Sequence, residues 1–346
     1  MASSSGGRQR AAPPRIRGVP ALADEFPAAR LHIVTGKGGT GKTTIAAALA
    51  IALAYGGRRT LLVEVEGRQG IAQLFDCAPL PYKETRIAVV PGGGEVLALA
   101  VDDEAALLDY LDMFYNLRRA GRALRKMGAI DFATAIAPGL RDVLLTGKVK
   151  EATTRMSNGK RVYDAVVLDA PPTGRITKFL NVTAEMSGLA KVGPIKTQSD
   201  GVMAVLRSSQ TAVHIVTLLE EMPVQETIDA IADLSATGLP VGAVFVNAAR
   251  SSLLPPADQR RAVTGRLGVA RIAAGLELAR LDGKAFGKRL TAEAVEHALR
   301  VGVQEESRER IAELDRPTVE LPRLPGSLDL ADLFELADIL RQGGVA

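Results

Sequence analysis

The residues best suited to chemistry lie in one short stretch, residues 31–44, which read LHIVTGKGGTGKTT. Residues 36–43 match the phosphate-binding pattern G-x-x-x-x-G-K-[ST], with an additional lysine inside the loop. Its glycines allow backbone N–H groups to turn towards a phosphate chain, and the start of a helix adds partial positive charge. The pattern predicts a nucleotide-binding loop made of Gly36, Lys37, Gly38, Gly39, Thr40, Gly41, Lys42, Thr43 and Thr44.

Two side chains of this loop have distinct predicted roles. Lys42 is expected to reach the β- and γ-phosphates, and the Thr43 hydroxyl is expected to bind Mg²⁺. The apolar run at residues 31–34 predicts a strand before the loop, and the Ala/Leu/Ile-rich residues 44–55 predict a helix after it. This strand–loop–helix setting is the context in which the motif binds phosphate.

A carboxylate at the end of a second apolar run is the next candidate. Asp169 follows residues 164–168, as in a Walker B strand whose acid holds Mg²⁺, often through a water molecule. An aspartate here could instead cap a helix. The Ala-Pro-Pro-Thr-Gly turn that follows could sense the γ-phosphate, so Pro172, Thr173 and Gly174 are assigned to a switch.

Two further strand ends carry polar side chains. Glu66 follows the apolar run at residues 60–65 and could orient or deprotonate the attacking water, although a surface acid or helix cap is the alternative. Glu64 shares its face of the strand and is a weaker candidate for the same role, but it is interpreted as a structural partner. Asn247 ends the run at residues 241–246, and its amide suits an adenine edge, the alternative being a turn asparagine.

The elements that must position these residues form a repeating pattern. Mostly continuous apolar runs separated by helical segments predict a doubly wound α/β fold of the P-loop NTPase type, with a mostly parallel sheet. Residues 30–346 are predicted to form one domain with helical elaborations at about residues 103–156, 183–209 and 257–314. The predicted strands are residues 31–34, 60–65, 96–101, 163–168, 212–218, 241–246 and 318–321.

Composition narrows the class of protein. The net charge of +4 comes from arginines near the N-terminus, so residues 1–29 are predicted to be a disordered basic tail, and no nucleic-acid partner is expected. The longest uncharged stretch, residues 43–57, is shorter than the roughly 20 residues of a membrane span, so no stable membrane insertion is expected. The single cysteine, Cys77, excludes intrachain disulfides and suits the cytoplasm.

Together these motifs resemble the deviant Walker A ATPases, whose mark K-G-G-x-G-K-[ST]-T matches residues 37–44. LDAPPTGRITKFL (residues 168–180) is similar to the D-T-A-P-T-G-H-T-L-R-x-L of the arsenite-pump and tail-anchored-protein-targeting ATPases. The resemblance runs from about residue 30 to 340 and includes VTLLEEMPVQET (216–227), VFVN (244–247) and PRLPG (322–326). It implies ATP and Mg²⁺ as cofactors, Pro322 near ATP, and a nucleotide-sandwiching dimer in which Lys37 enters the partner subunit's site.

The sequence departs from this family at informative positions. Glu66 stands where the family has the aspartate that activates water, and Arg175 stands where it has a histidine after the switch II glycine. The cysteines that bind arsenite or antimonite, and the paired zinc cysteines of the eukaryotic targeting dimer, have no counterparts here. The chain also has one P-loop where the pump enzymes carry two, so a second subunit must complete the site.

Three functions follow as hypotheses. The first is a dimeric ATPase whose closure acts on hydrophobic client segments of membrane proteins, with Lys42, Glu66, Lys37 and Asp169 as catalytic residues. Met113, Phe114 and Met127 are candidate client contacts, the alternative being ordinary core residues. The second is a slow or non-hydrolysing subunit that pairs with a paralogue. The third, a membrane-positioning or partition ATPase, is disfavoured because the predicted terminal helix, residues 328–340, carries four acids.

Overall fold

The central feature is an eight-stranded sheet in the order β10-β9-β8-β1-β7-β2-β4-β3, parallel except for its β3 edge. The computed structural model describes residues 22–102, 105, 140–189 and 194–345. The sheet strands are β1 (Leu31–Gly36), β2 (Arg59–Glu64), β3 (Thr85–Val90), β4 (Gly94–Ala100), β7 (Ala165–Asp169), β8 (Thr211–Thr217), β9 (Val241–Ala249) and β10 (Thr318–Pro322), and a separate two-stranded ribbon comprises β5 (Met156–Ser157) and β6 (Lys160–Arg161).

Helices connect the strands and cover both faces of the sheet. Within the described residues, none combines the length and the apolar character needed to cross a bilayer. Their bounds are α1 (Leu22–Glu25), α2 (Lys42–Ala54), α3 (Gly70–Leu74), α4 (Leu140–Thr154), α5 (Thr173–Leu189), α6 (Pro194–Leu206), α7 (Glu221–Ala236), α8 (Pro256–Val263), α9 (Val269–Leu278), α10 (Gly283–Ala312) and α11 (Leu330–Gln342).

The predicted α/β fold is confirmed, and the apolar runs explain it. The seven predicted strands are all present, and β1, β7 and β8 are buried along their whole lengths, as strands covered on two faces must be. Three strands were not predicted, the two of the short ribbon and one in the main sheet: β3 pairs antiparallel with β4 at the sheet edge and is mostly half-exposed. The sequence of β3 has only a weak apolar pattern, so it does not indicate a strand by itself. The Pro91-Gly92-Gly93 turn that follows is nevertheless typical of a hairpin.

Helix α2 fixes the loop that precedes it. Its residues from Ile45 to Ala54 are all buried, so it is a core helix, as its uncharged sequence predicted. It packs between the sheet and α11, in the cluster that contains Leu49, Leu336 and Leu340. The first turn of α2 is therefore held rigidly at the carboxyl end of β1.

The N-terminal segment is only partly as predicted. Residues 1–21 lie outside the described residues, but residues 22–29 include α1, and Phe26 packs against the core. The predicted disorder of residues 1–29 therefore does not extend to this part, because one aromatic side chain anchors it. Of the predicted helical elaborations, residues 183–209 contain the end of α5 and all of α6, residues 257–314 contain most of α8 and all of α9 and α10, and α4 lies in the last part of the first. Residues 103, 104, 106–139 and 190–193 lie outside the described residues.

Two histidines, His32 on β1 and His214 on β8, form a buried hydrogen-bonded pair, here called the histidine relay. The amide N–H of Ala243 donates to His214 Nδ1 (3.1 Å), so neutral His214 carries its proton on Nε2 and donates to His32 Nδ1 (3.0 Å). His32 in turn donates to the backbone of Ala29. Every nitrogen of the pair is satisfied only while both rings are neutral. Burial accordingly lowers the pKa of His32 to about 4 and that of His214 well below its usual value.

The stability of the fold should therefore fall as the pH drops below about 6.5, the pKa of an unfolded histidine. The unfolded chain takes up protons there while buried His32 does not, so unfolding is favoured. Between pH 7.5 and pH 5 we expect His32 to account for a loss of about 2 kcal/mol. Urea unfolding of wild type and His32→Gln at both values measures this, and equal losses in the two proteins would refute it.

Candidate active site

The phosphate-binding loop lies at the carboxyl end of β1, between β7 and β8. This is the edge at which parallel α/β sheets bind ligands. The Thr35 hydroxyl donates to the Pro171 carbonyl (2.7 Å), which ties the start of the loop to the turn after Asp169. At the loop tip Gly38 and Gly39 are exposed, whereas Thr40 is buried and its hydroxyl donates to the Lys37 carbonyl (2.9 Å).

Two loop glycines are required by close contacts. A Cβ on Gly36 would overlap the carbonyl oxygen of Val216 on β8. Gly41 has a φ of +87°, and a Cβ there would overlap the Asn247 side-chain amide. Larger residues at these two positions would push the loop away from the sheet.

The start of α2 is open to an anion. Gly41 is its N-cap, and within the described part of the chain no side-chain hydrogen bond caps this helix. Lys42, the first helical residue, is half-buried. Burial lowers the pKa of Lys42, and the carboxylates of Asp169 and Glu66 act in the opposite direction. A cation and a helix N-terminus therefore lie side by side.

Asp169 and Thr43 contact each other at the first turn of α2. The Thr43 hydroxyl donates to Asp169 Oδ2 (2.7 Å), and Asp169 is only 8% exposed. Burial raises the pKa of Asp169 to about 6, against the opposing effects of the Thr43 hydrogen bond and of Lys42. A hydroxyl and a carboxylate are hard oxygen ligands of the kind that Mg²⁺ prefers, so the two residues fit that ion.

Glu66 lies just beyond the end of β2, flanked by two arginines. Its carboxylate oxygens are 3.7 Å from the guanidinium groups of Arg68 and Arg175. Both arginines are mostly exposed, so these contacts are weak. Arg175 belongs to the switch assigned from sequence, whose residues Thr173 and Gly174 form the first turn of α5. The structure thus brings Glu66 and the switch together.

Glu226 is a site residue that sequence reasoning missed. It lies on α7, and its Oε1 is 2.7 Å from the Lys37 ammonium group. Its Oε2 accepts a hydrogen bond from the Thr173 hydroxyl (3.3 Å). One carboxylate therefore contacts both the loop lysine and the switch. The available signal was the family-like segment VTLLEEMPVQET, which contains it.

Asn247 lies against the loop on its β9 side. Its amide nitrogen donates to the Thr40 carbonyl (2.8 Å), and its amide oxygen accepts from the Ala248 N–H (2.9 Å). These bonds stabilise the loop, and a contact of Asn247 with adenine stays a prediction. Pro322 ends β10 opposite Ala249, on the same side of the site. Pro172 starts the turn into α5, and Thr44 is half-buried in α2.

Comparison with known proteins gives consistent matches. The sequence model of the family described as Anion-transporting ATPase matches residues 29–207. ATPase BagA of Mycobacterium tuberculosis is 54% identical over 346 residues, covering 99% of this chain and 98% of that protein. ATPase get3 of Schizosaccharomyces japonicus is 28% identical over 178 residues, covering 49% and 51%. The arsenical pump-driving ATPase of Acidiphilium multivorum is 25% identical over 243 residues, covering 65% and 39%.

Proposed function

Because this chain belongs to the anion-transporting ATPase family and is an ATPase, we propose that it hydrolyses ATP with Mg²⁺ as a cytoplasmic dimer. We further propose that closure of the dimer on ATP is coupled to binding of a client or partner rather than to arsenite transport. The observation that carries the proposal is the Thr43–Asp169 contact of 2.7 Å beside the open start of α2.

Each residue of the site has a role in this proposal. The backbone N–H groups of the loop and Lys42 hold the phosphates, while Thr43 and Asp169 hold Mg²⁺, Asp169 through water. The ion, when bound, neutralises charge that develops on the phosphates. Glu66 orients or deprotonates the attacking water, and the switch from Pro172 to Arg175 responds to the γ-phosphate.

The dimer is proposed from Lys37. Its side chain is about one-third exposed, and its ammonium group contacts Glu226 on α7 rather than a group of the loop itself. A lysine in this place is available to a second subunit, which is the arrangement that the family resemblance implies. The partner is a second copy of this chain or a paralogous subunit.

A client role fits the thiol content better than arsenite transport does. The sequence has one cysteine, Cys77, which is free and exposed, and one thiol cannot form a site with several sulfur ligands for a trivalent metalloid. The residues that the sequence indicates for client contacts, Met113, Phe114 and Met127, lie outside the described residues.

A second candidate function is a slowly hydrolysing or non-hydrolysing subunit that pairs with a paralogue. Glu66 favours it, because it stands where the family has the aspartate that activates water, and its extra methylene moves the carboxylate. Purification from native lysate separates the two candidates. A related chain that co-purifies, with hydrolysis only in the mixture, supports this alternative; robust turnover by the pure chain excludes it.

Light scattering tests the dimer directly. With Mg²⁺ and a non-hydrolysable ATP analogue, we expect the mass of the pure protein to double relative to one chain, because the sandwiched nucleotides join the two subunits. Without nucleotide, the same sample should contain a larger fraction of single chains. A mass that stays at one chain while calorimetry records bound nucleotide contradicts the homodimer.

A further inference from the structure

Glu64 is a buried carboxylate for which the site described above has no use. It is the last residue of β2 and is only 3% exposed. In the parallel pairing of β2 with β7 it stands directly opposite Asp169. Two acidic side chains therefore end neighbouring strands at the edge where the phosphate-binding loop lies.

Among the described residues, only one of the two carboxylate oxygens of Glu64 has a hydrogen-bond partner. Its Oε1 accepts a hydrogen bond from the N–H of Gly70, the first residue of α3 (2.9 Å). Its Oε2 is buried and has no hydrogen-bond partner among the described residues. A buried charged oxygen without a donor costs free energy, so such atoms are rare in native proteins. This oxygen therefore needs a hydrogen-bond donor that the described residues do not supply.

The carboxylate lies beside the residues that fit Mg²⁺. A Cβ built on Gly70 would be 3.7 Å from Glu64 Oε1 and 3.9 Å from the Thr43 hydroxyl, so both groups border the same small space. The charge of Glu64 also acts on Asp169 across the strand pair. The side-chain oxygens of Glu64, Asp169 and Thr43 thus form one cluster at the first turn of α2.

We propose that Glu64 is a positioning residue of the Mg²⁺ site, whose free oxygen accepts a hydrogen bond from a water molecule bound to the ion. This inference rests on the proposed function, since it requires Mg²⁺ at Thr43 and Asp169. Mg²⁺ keeps several of its waters in proteins, and these waters are strong donors that need acceptors. Glu64 therefore fixes the hydrated ion, while Glu66 remains the candidate that acts on the attacking water.

The substitution Glu64→Gln isolates this role. Glutamine has the same size, and its amide oxygen can still accept from Gly70, so the local fold is kept. It lacks the second acceptor and the charge that a Mg²⁺-bound water would use. The half-buried, ion-paired carboxylate of Glu95 provides a matched control, Glu95→Gln, which removes one negative charge outside the site.

Calorimetric titration of MgCl₂ into each protein, saturated with ATPγS, measures the Mg²⁺ concentration at half-maximal response. We expect Glu64→Gln to raise this concentration about 10-fold or more, with Glu95→Gln equal to wild type. Affinity for ATPγS in excess EDTA should be the same in all three proteins. The melting temperature of nucleotide-free Glu64→Gln should equal or exceed that of wild type, since an unsatisfied charge is removed.

Two results would overturn the inference. An unchanged Mg²⁺ requirement in folded Glu64→Gln shows that the residue has no role in holding the ion. A melting temperature that falls together with an unchanged Mg²⁺ requirement shows that Glu64 only supports α3. If wild type itself shows no Mg²⁺-dependent binding of ATPγS, the proposed function fails first, and the inference fails with it.

Discussion

Replacing Lys42 by alanine is expected to lower kcat for ATP by at least about 100-fold, the usual loss when a group that stabilises transition-state charge is removed. Lys42 is the first residue of α2, is half-buried, and interacts electrostatically with the carboxylates of Asp169 and Glu66. In the proposed function its ammonium group and the open helix N-terminus bind the same phosphate chain, so both would stabilise negative charge on the γ-phosphate. In a half-buried position such a charge is worth more than in water.

Steady-state phosphate release by the pure protein measures this effect. Lys288→Ala, which removes an exposed lysine on α10, is the matched control and should hydrolyse ATP at the wild-type rate. Circular dichroism checks that the Lys42→Ala variant is folded. Equal rates above background for wild type and Lys42→Ala would show that the observed hydrolysis does not come from this site.

The local parts of this candidate site are those that the sequence indicates most directly. The loop from Gly36 to Thr43 was recognisable because one continuous stretch contains the strand, the glycines and the helix. Asp169 and Glu66 were found because each carboxylate directly follows an apolar run. In each case the chemistry and the element that positions it are neighbours along the chain, so spacing alone was informative.

Contacts between distant segments could not be predicted in the same way. From sequence alone, Glu64 is interpreted as a structural partner. Its position opposite Asp169 is visible only from the pairing of β2 with β7. Glu226 lies almost two hundred residues after Lys37, on a helix with no motif chemistry of its own. The histidine relay likewise depends on β1 and β8 being neighbours, although 182 positions separate its two rings. Such contacts follow from strand order, which single-residue spacing does not encode.

The position of Lys37 bears on how two subunits would cooperate. In the single chain its ammonium group is 2.7 Å from Glu226, and Glu226 also binds Thr173 of the switch. Both members of the ion pair are about one-third exposed, so the pair contributes no more than about 1 kcal/mol. Lys37 can therefore leave Glu226 at little cost when a neighbouring nucleotide offers more negative charge. Glu226 would then keep only its hydrogen bond from Thr173 of the switch.

A mixed dimer tests whether Lys37 acts in the partner subunit's site. Lys37→Ala and Lys42→Ala are each expected to lower hydrolysis about 100-fold when purified alone. If Lys37 acts across the interface, a dimer of one Lys37→Ala chain and one Lys42→Ala chain has one complete site. Purified through a different tag on each chain, it should recover about half of the wild-type rate.

The opposite assignment gives a different result in the same experiment. If Lys37 served its own nucleotide, each site of the mixed dimer would lack one lysine, and the rate would stay at the level of the single variants. Wild-type chains carrying the same two tags control for the effect of purification. Because Lys37→Ala also leaves Glu226 without its cation, Glu226→Gln should be assayed beside it; only a defect that the mixed dimer repairs can be assigned to the lysine acting between subunits.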